Sequence, residues 1–376
     1  MSRIKKIYII TGEASGDYHA GMLLKAMQSI SGPLETRGWG GNQLQSAGMK
    51  LDVPYETANF MGFVEVLRNL PRIMQLFKLT KKAIRAFKPD VLLLVDYPGF
   101  NLRMAEWAHA NGIPVIYFIA PQIWAWKESR INIMKRCVHK LFVILPFEYS
   151  YFKDRGINTA YHGHPLVEKI KQHHTSPEFR NHWNLDQRSI IAILPGSRQQ
   201  EIRMLLPIYL RALQDEHKHQ IAIAGMRRHQ ALYESIIREC NVDVVIVYDE
   251  MYNLLKQAEL AVVTSGTASL ETALFEVPMV VCYKGNWFSY QIAKRLVKVK
   301  YIALANLIAD KPIVQELIQD ECNENSIQKA LQNLLDPHSR SMIKSQLKQL
   351  THGLYEEDCY RRIAEDMLPL ISTTNA

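Results

Sequence analysis

Ala261-Val262-Val263-Thr264-Ser265-Gly266-Thr267-Ala268-Ser269-Leu270-Glu271-Thr272-Ala273-Leu274-Phe275-Glu276-Val277-Pro278 is the stretch whose reading decides the fold. Leu260 to Val263 predicts a short buried strand, Thr264 to Thr267 a tight polar turn, and Ala268 onward a helix that must stop before Pro278. An anion fits at that turn, because Gly266 lets a ligand approach the backbone and the first helical turn has unpaired N–H groups at the positive end of the dipole. Glu271, one turn further in, has the acceptor-only chemistry that suits a sugar hydroxyl. An ordinary capped helix after a strand fits the same residues equally well, since the lysine that makes a phosphate loop specific is missing.

Outward from that stretch the same alternation repeats. Strands are predicted at Ser189–Leu194, Gln220–Ala224, Val242–Tyr248 and Met279–Tyr283, with helices starting at Gln200, Arg228 and Met251. The first half has its own series: Ile7–Ile10, Glu35–Gly41, the wholly apolar Val91–Val95, Pro114–Ile119, Lys140–Leu145 and Thr159–His162. Between the halves the chain turns polar, from Lys171 to Pro177. Two βα series joined by a polar segment predict an α/β protein of two facing Rossmann-like domains with a cleft between them. The expected domains are 1–168, 169–352 and a terminal helix within 353–376 that crosses back onto the first domain.

Ligands of doubly wound sheets gather at the carboxyl ends of the strands, so the loops there are where chemistry is sought. Gly12-Glu13-Ala14-Ser15-Gly16-Asp17 follows the first strand. Its glycines miss the dinucleotide spacing, and Glu13 and Asp17 would repel a pyrophosphate but suit hydroxyl groups. Asp96 ends the Val91–Val95 strand and is read as the functional acid; helix capping, the competing role, is one that Asn101 can take. Gln122, Trp124 and Trp126 follow the next strand, where aromatic faces make a wall for a sugar ring or pack between domains. Gly196-Ser197-Arg198 ends the first strand of the second half. Arg198 can pair with a phosphate and offset charge on a leaving group, or it can pair with Glu201.

The totals narrow the classes. The chain has 376 residues, 48% of them hydrophobic, and a formal charge of +8 that favours anionic partners. No run of about 18 apolar residues and no signal-peptide core are seen, so a cytosolic protein is expected. The five cysteines are scattered and suggest neither disulfides nor zinc. No nucleic-acid motif, paired Asp-x-Asp, Walker A or nucleophile elbow occurs, so no nucleic acid, metal or cofactor is expected. The helical stripe Phe63, Val66, Leu67, Leu70, Ile73, Met74 and Phe77, beside Arg68, Arg72 and Lys78, reads either as a helix pair packed on the sheet or as an anionic-membrane surface that admits acyl chains.

Taken together, Gly12 to Asp17, Met61-Gly62-Phe63-Val64-Glu65-Val66, Asp96-Tyr97-Pro98-Gly99-Phe100-Asn101, Trp124-Ala125-Trp126, Leu194-Pro195-Gly196-Ser197-Arg198, Ser265-Gly266-Thr267-Ala268 and Asn306-Leu307 resemble the lipid-A-disaccharide synthase family, in its order and over nearly the whole chain. The resemblance implies a GT-B glycosyltransferase. It would join UDP-2,3-diacylglucosamine to 2,3-diacylglucosamine 1-phosphate, forming a β-1,6 disaccharide and UDP at the inner face of the inner membrane. Asp96 matches the family's essential acid, and Arg198 and Asn306 match positions implicated in its UDP site. Glu13, Ser15, Asp17, Gln122, Trp124, Ser197, Ser265, Gly266, Thr267 and Glu271 are the further expected contacts. Two positions depart from the family pattern: Gly99 is often acidic there, and Ala120 is commonly Ser. A UDP-N-acetylglucosamine 2-epimerase and a non-catalytic module on anionic membranes are the rival readings, and a homodimer stays open.

Overall fold

The computed structural model describes residues 4–57, 69–125, 128–285 and 299–372. The chain divides into two compact units, Met1–Pro165 with Glu356–Ala376, and Leu166–Tyr355. In the first unit seven strands form one sheet in the order β3-β2-β1-β4-β5-β6-β7. They are β1 (Lys6–Thr11), β2 (Glu35–Gly40), β3 (Lys50–Pro54), β4 (Val91–Val95), β5 (Val115–Phe118), β6 (Lys140–Val143) and β7 (Thr159–Tyr161). All neighbours pair in parallel. Such a sheet needs cover on both faces, which is why its central strands are apolar without alternation. Tyr8, Ile10, Leu92 and Leu94 enter one core, and Ile7, Ile9, Val91, Leu93 and Val95 the other.

The second unit has a six-stranded sheet in the order β10-β9-β8-β11-β12-β13. Its strands are β8 (Ile190–Leu194), β9 (Gln220–Gly225), β10 (Val245–Tyr248), β11 (Ala258–Thr264), β12 (Met279–Tyr283) and β13 (Gln315–Ile318), again all parallel. Each sheet therefore grows to one side of its first strand and then restarts on the other. The reversal falls between β1 and β4 in one unit and between β8 and β11 in the other, and loops beyond such a reversal are free to hold a ligand.

Two strands were not expected, and both are edges. Lys50–Pro54 and Gln315–Ile318 are covered on part of their surface only, so they lack the apolar run that marks a buried strand. The helix after Asp96 also differs. It runs Pro98–Ala110, with proline in its first turn, instead of beginning at Asn101. The predicted stripe is described only from residue 69 onward; Phe63, Val66, Leu67 and Arg68 lie outside the described residues. In the helix Leu70–Phe87, Phe77 stacks on Phe100 at 4.0 Å between ring centroids, so that part of the stripe is core packing. Leu70 and Met74 instead stand 45% and 57% exposed.

The helix Cys359–Ser372 closes the first unit. Tyr360, Ile363, Ala364, Met367, Leu368 and Ile371 are buried with Ile7, Ile9 and the helix Ala14–Ser31 in one core. Polar contacts fix the docking, among them His19 Nδ1 with the Tyr360 hydroxyl at 2.7 Å, Lys5 Nζ to the Leu368 carbonyl at 3.2 Å and the Lys140–Asp366 ion pair at 3.1 Å. Truncating Met367, which is fully buried, leaves a cavity worth about 2–5 kcal/mol. In Met367→Ala, hydrogen exchange read by mass spectrometry should accelerate in the β1 and β4 peptides and stay unchanged in those of β8 and β11.

Candidate active site

At the reversal point of the first unit, the chain leaves β4 through two consecutive left-handed residues, Asp96 at φ 47° and Tyr97 at φ 48°. Non-glycine residues adopt this conformation at a cost, so the surroundings must impose it. They do so from three sides. The Asp96 N–H donates to the Phe118 carbonyl at 3.1 Å, and the Asp96 carbonyl accepts from Asn101 Nδ2 at 2.7 Å and from the Tyr117 hydroxyl at 2.6 Å. Asn101 is fully buried and also donates to the carbonyls of Ile10 and Val95, so it ties β1 to β4 and is no helix cap. Gly12 has no Cβ because Tyr97 lies where one would go.

With its backbone fixed, the Asp96 carboxyl is pushed up to about 6 by burial and by the negative charge of Glu13, against a hydrogen bond from the Tyr97 N–H. A group so poised is ionised at neutral pH yet basic enough to accept a proton. Glu13 precedes the helix Ala14–Ser31, and Ser15 is exposed in its first turn. Asp17, expected among the ligand contacts, is engaged by the backbone of a neighbouring helix. It is 3% exposed and its oxygens accept from the N–H groups of Gly41 (2.7 Å), Gln43 (3.0 Å) and Leu44 (3.2 Å). Those are the orphan donors of the helix Asn42–Ser46, so Asp17 works as its cap from a distance in sequence.

Beyond β5, Gln122 is exposed and Trp124 half-buried, while Trp126 lies outside the described residues. The Trp124 indole N–H donates to Glu148 Oε1 at 3.0 Å, and its ring meets Phe147 edge-on, 5.0 Å between centroids. Glu148 was not anticipated. It is 1% exposed, at the start of the helix Pro146–Lys153, and its Oε2 accepts from the Leu145 N–H at 3.2 Å.

In the second unit, β8 ends in Gly196-Ser197-Arg198, with Gly196 at φ 95° and space for a Cβ closed by Glu201 Oε2 at 2.5 Å. Glu201 accepts from the Ser197 and Arg198 N–H groups at 3.2 and 3.3 Å, and its other oxygen pairs with the Arg198 guanidinium at 3.1 Å. The ion pair weighed at the level of sequence is thus formed. It is a surface pair, with the arginine side chain 64% exposed, and such pairs contribute little, about 0–1 kcal/mol, so an incoming phosphate can compete for the guanidinium. Arg228 and His229, beyond β9, reach the Ser197 carbonyl at 3.2 and 3.3 Å and add two nitrogen groups that sequence reading passed over.

Beside them, β11 ends in the turn of the opening stretch. The Ser265 N–H donates to the Cys282 carbonyl at 2.8 Å and its hydroxyl to the Ile302 carbonyl at 3.1 Å. Gly266, at φ 151°, has open space where a Cβ would stand, and Thr267 is exposed at the head of the helix Thr267–Leu274. Glu271 accepts from the Tyr252 hydroxyl at 2.6 Å, and burial raises its carboxyl above the usual range. Asn306 is likewise held within its own unit. It is 1% exposed; its amide donates to the Val314 carbonyl and Glu316 Oε1, both at 2.8 Å, and its oxygen accepts from the Val314 N–H at 2.9 Å. Its side chain therefore joins the helix Leu304–Ala309 to the approach to β13.

A family model described as lipid-A-disaccharide synthetase matches residues 7–367. Lipid-A-disaccharide synthase 1 of Legionella pneumophila subsp. pneumophila strain Philadelphia 1 is 35% identical over 370 residues, covering 96% of each chain. The lipid-A-disaccharide synthase of Myxococcus xanthus strain DK1622 is 34% identical over 381 residues, covering 99% of each. Among solved structures, sucrose-phosphate synthase from Thermosynechococcus elongatus superposes with a TM-score of 0.62 at 12% identity, over 98% of this chain and 100% of that one. The UDP-GlcNAc 2-epimerase from Neisseria meningitidis gives 0.60 at 12% identity, over 98% and 99%. At such identities the structural likeness shows the fold, which is GT-B. With relatives matched along nearly its full length, the chain belongs to the lipid-A-disaccharide synthase family and is a glycosyltransferase of lipid A biosynthesis.

Proposed function

We propose that the transfer is a single inverting displacement with a half-site on each unit. Asp96 accepts the proton of the acceptor's 6-hydroxyl while that oxygen attacks the anomeric carbon of the donor. The bond to UDP breaks, and the negative charge that develops on the diphosphate is met by Arg198 and by the start of the helix Thr267–Leu274. Ser197, Ser265, Gly266 and Thr267 line that anion cradle, and Glu271 takes a ribose hydroxyl. Glu13, Ser15, Gln122 and Trp124 surround the acceptor sugar. The donor and acceptor are UDP-2,3-diacylglucosamine and 2,3-diacylglucosamine 1-phosphate, and the product is the β-1,6 disaccharide 1-phosphate. One observation carries the reading: an acid raised to about 6 stands on a left-handed backbone at the reversal point of its sheet. Such conformations persist where function requires them.

Both substrates carry acyl chains, so the enzyme must meet a lipid surface. Leu70 and Met74 are exposed in the first turns of a helix that also carries Arg72, Lys78, Lys81, Lys82 and Arg85. Apolar residues flanked by cations suit the anionic, cytoplasmic face of a membrane, where the basic residues add an attraction that salt weakens.

Given both diacyl sugars, the purified protein should release UDP and a disaccharide of the summed mass; conversion of the UDP-sugar alone would support an epimerase instead. Asp96→Ala should abolish turnover and leave UDP affinity within about twofold, whereas Arg198→Ala should weaken UDP about 10-fold or more, the worth of a charge-assisted hydrogen bond. Since the base must be ionised, kcat/KM should fall on acidification through pH 6, about tenfold lower per pH unit below it. A profile flat down to pH 5 would remove Asp96 from that role. In flotation assays the protein should bind anionic vesicles at low salt and neutral ones poorly, and Leu70→Asp with Met74→Asp should abolish the binding.

A further inference from the structure

Glu148 is a carboxylate enclosed in the first unit with no part in the chemistry above. Burying such a group is costly unless every lone pair direction finds a donor, and here both oxygens are engaged. Oε1 accepts from the Trp124 indole, and Oε2 from the Leu145 N–H, with the Ile144 N–H adding to the set. A glutamine could not replace it without loss, because its NH2 end would face an N–H donor. The site therefore calls for an acceptor at both atoms. Capping the helix Pro146–Lys153 explains one of them and leaves the indole bond unexplained.

That bond spans two neighbouring loops at the carboxyl edge of the sheet. Asp96 follows β4, Trp124 follows β5 and Glu148 follows β6, and Val95, Phe118 and Phe142 lie side by side in register just before these loops. The loop with Trp124 begins at Ile119, a β-branched residue held at φ 64°, its N–H donating to the Phe142 carbonyl at 3.0 Å. For such a side chain this is a true outlier. Left-handed non-glycine residues thus open two adjacent loops, the one with the acid and the one with the tryptophan.

We propose that Glu148 is a positioning residue for the acceptor subsite: by gripping the indole N–H from inside, it sets the Trp124 ring as a fixed wall for the sugar presented to Asp96. The ring is half-buried, braced edge-on by Phe147, and a rigid aromatic face packs well on sugar C–H groups. Burial pushes the Glu148 carboxyl up to about 7, with a smaller contribution in the same direction from the negative charge of Asp96.

The proposal rests on the acceptor assignment made above, and the test separates the two. Steady-state kinetics with both diacyl sugars are compared for the unaltered protein, Trp124→Phe, Glu148→Gln and the double variant. The expected result is an acceptor KM raised about tenfold in each single variant, a donor KM within twofold, and a double variant no worse than the poorer single one, as for two residues acting through one contact. An unchanged acceptor KM in Trp124→Phe, which deletes the indole N–H and leaves the helix cap in place, would overturn it even if Glu148→Gln failed to fold. Multiplying effects, or equal losses for donor and acceptor, would do the same. If the unaltered protein made no disaccharide, the functional reading itself would fall.

Discussion

The side-chain amide of Asn101 governs the first half-site. It donates to the carbonyls of Ile10, Val95 and Asp96, which lie near and just past the ends of two neighbouring strands. Buried carbonyls left unsatisfied cost free energy, so the amide both joins β1 to β4 and holds Asp96 where the backbone would not go by itself. The left-handed turn at Asp96 and Tyr97, the absent side chain at Gly12 and the raised Asp96 carboxyl all follow from that arrangement. An acid on an unstrained strand end would have neither the fixed direction nor the same burial.

The second half-site uses the opposite charge and a looser construction. Glu201 organises the turn after β8 through two backbone N–H groups and keeps Arg198 paired at the surface. Because that pair is exposed, it can exchange one acid for another at little cost, which suits the diphosphate role proposed for it. The acid half is rigid and desolvated; the cationic half is solvated and adjustable.

How much of this was legible follows from where each residue sits. β1, β4, β8 and β11 could be read because both faces are buried, while Lys50–Pro54 and Gln315–Ile318 carry edge-strand sequences that look like loop. The loops after the readable strands were found with them. Asp17 and Asn306 were read as ligand contacts from polar motifs, and their intramolecular partners were not visible there. Their partners, Gly41 to Leu44 and Val314 to Glu316, are identified only once the chain is folded. Glu148 was hidden for the converse reason: Leu145-Pro146-Phe147 carries no capping residue, and the tryptophan it holds is 24 positions away. The stripe on Leu70–Phe87 mixed two roles that periodicity cannot separate, core packing at Phe77 and exposure at Leu70 and Met74.

The helix Cys359–Ser372 shares a core with β1, although the whole segment Leu166–Tyr355 separates them along the chain. During synthesis, then, β1 must wait with a bare hydrophobic flank until that helix has been made, with the compact intervening unit emerging first. Cutting the chain just before Cys359 would leave the core of the intervening unit intact and strip one face of the sheet that carries Asp96.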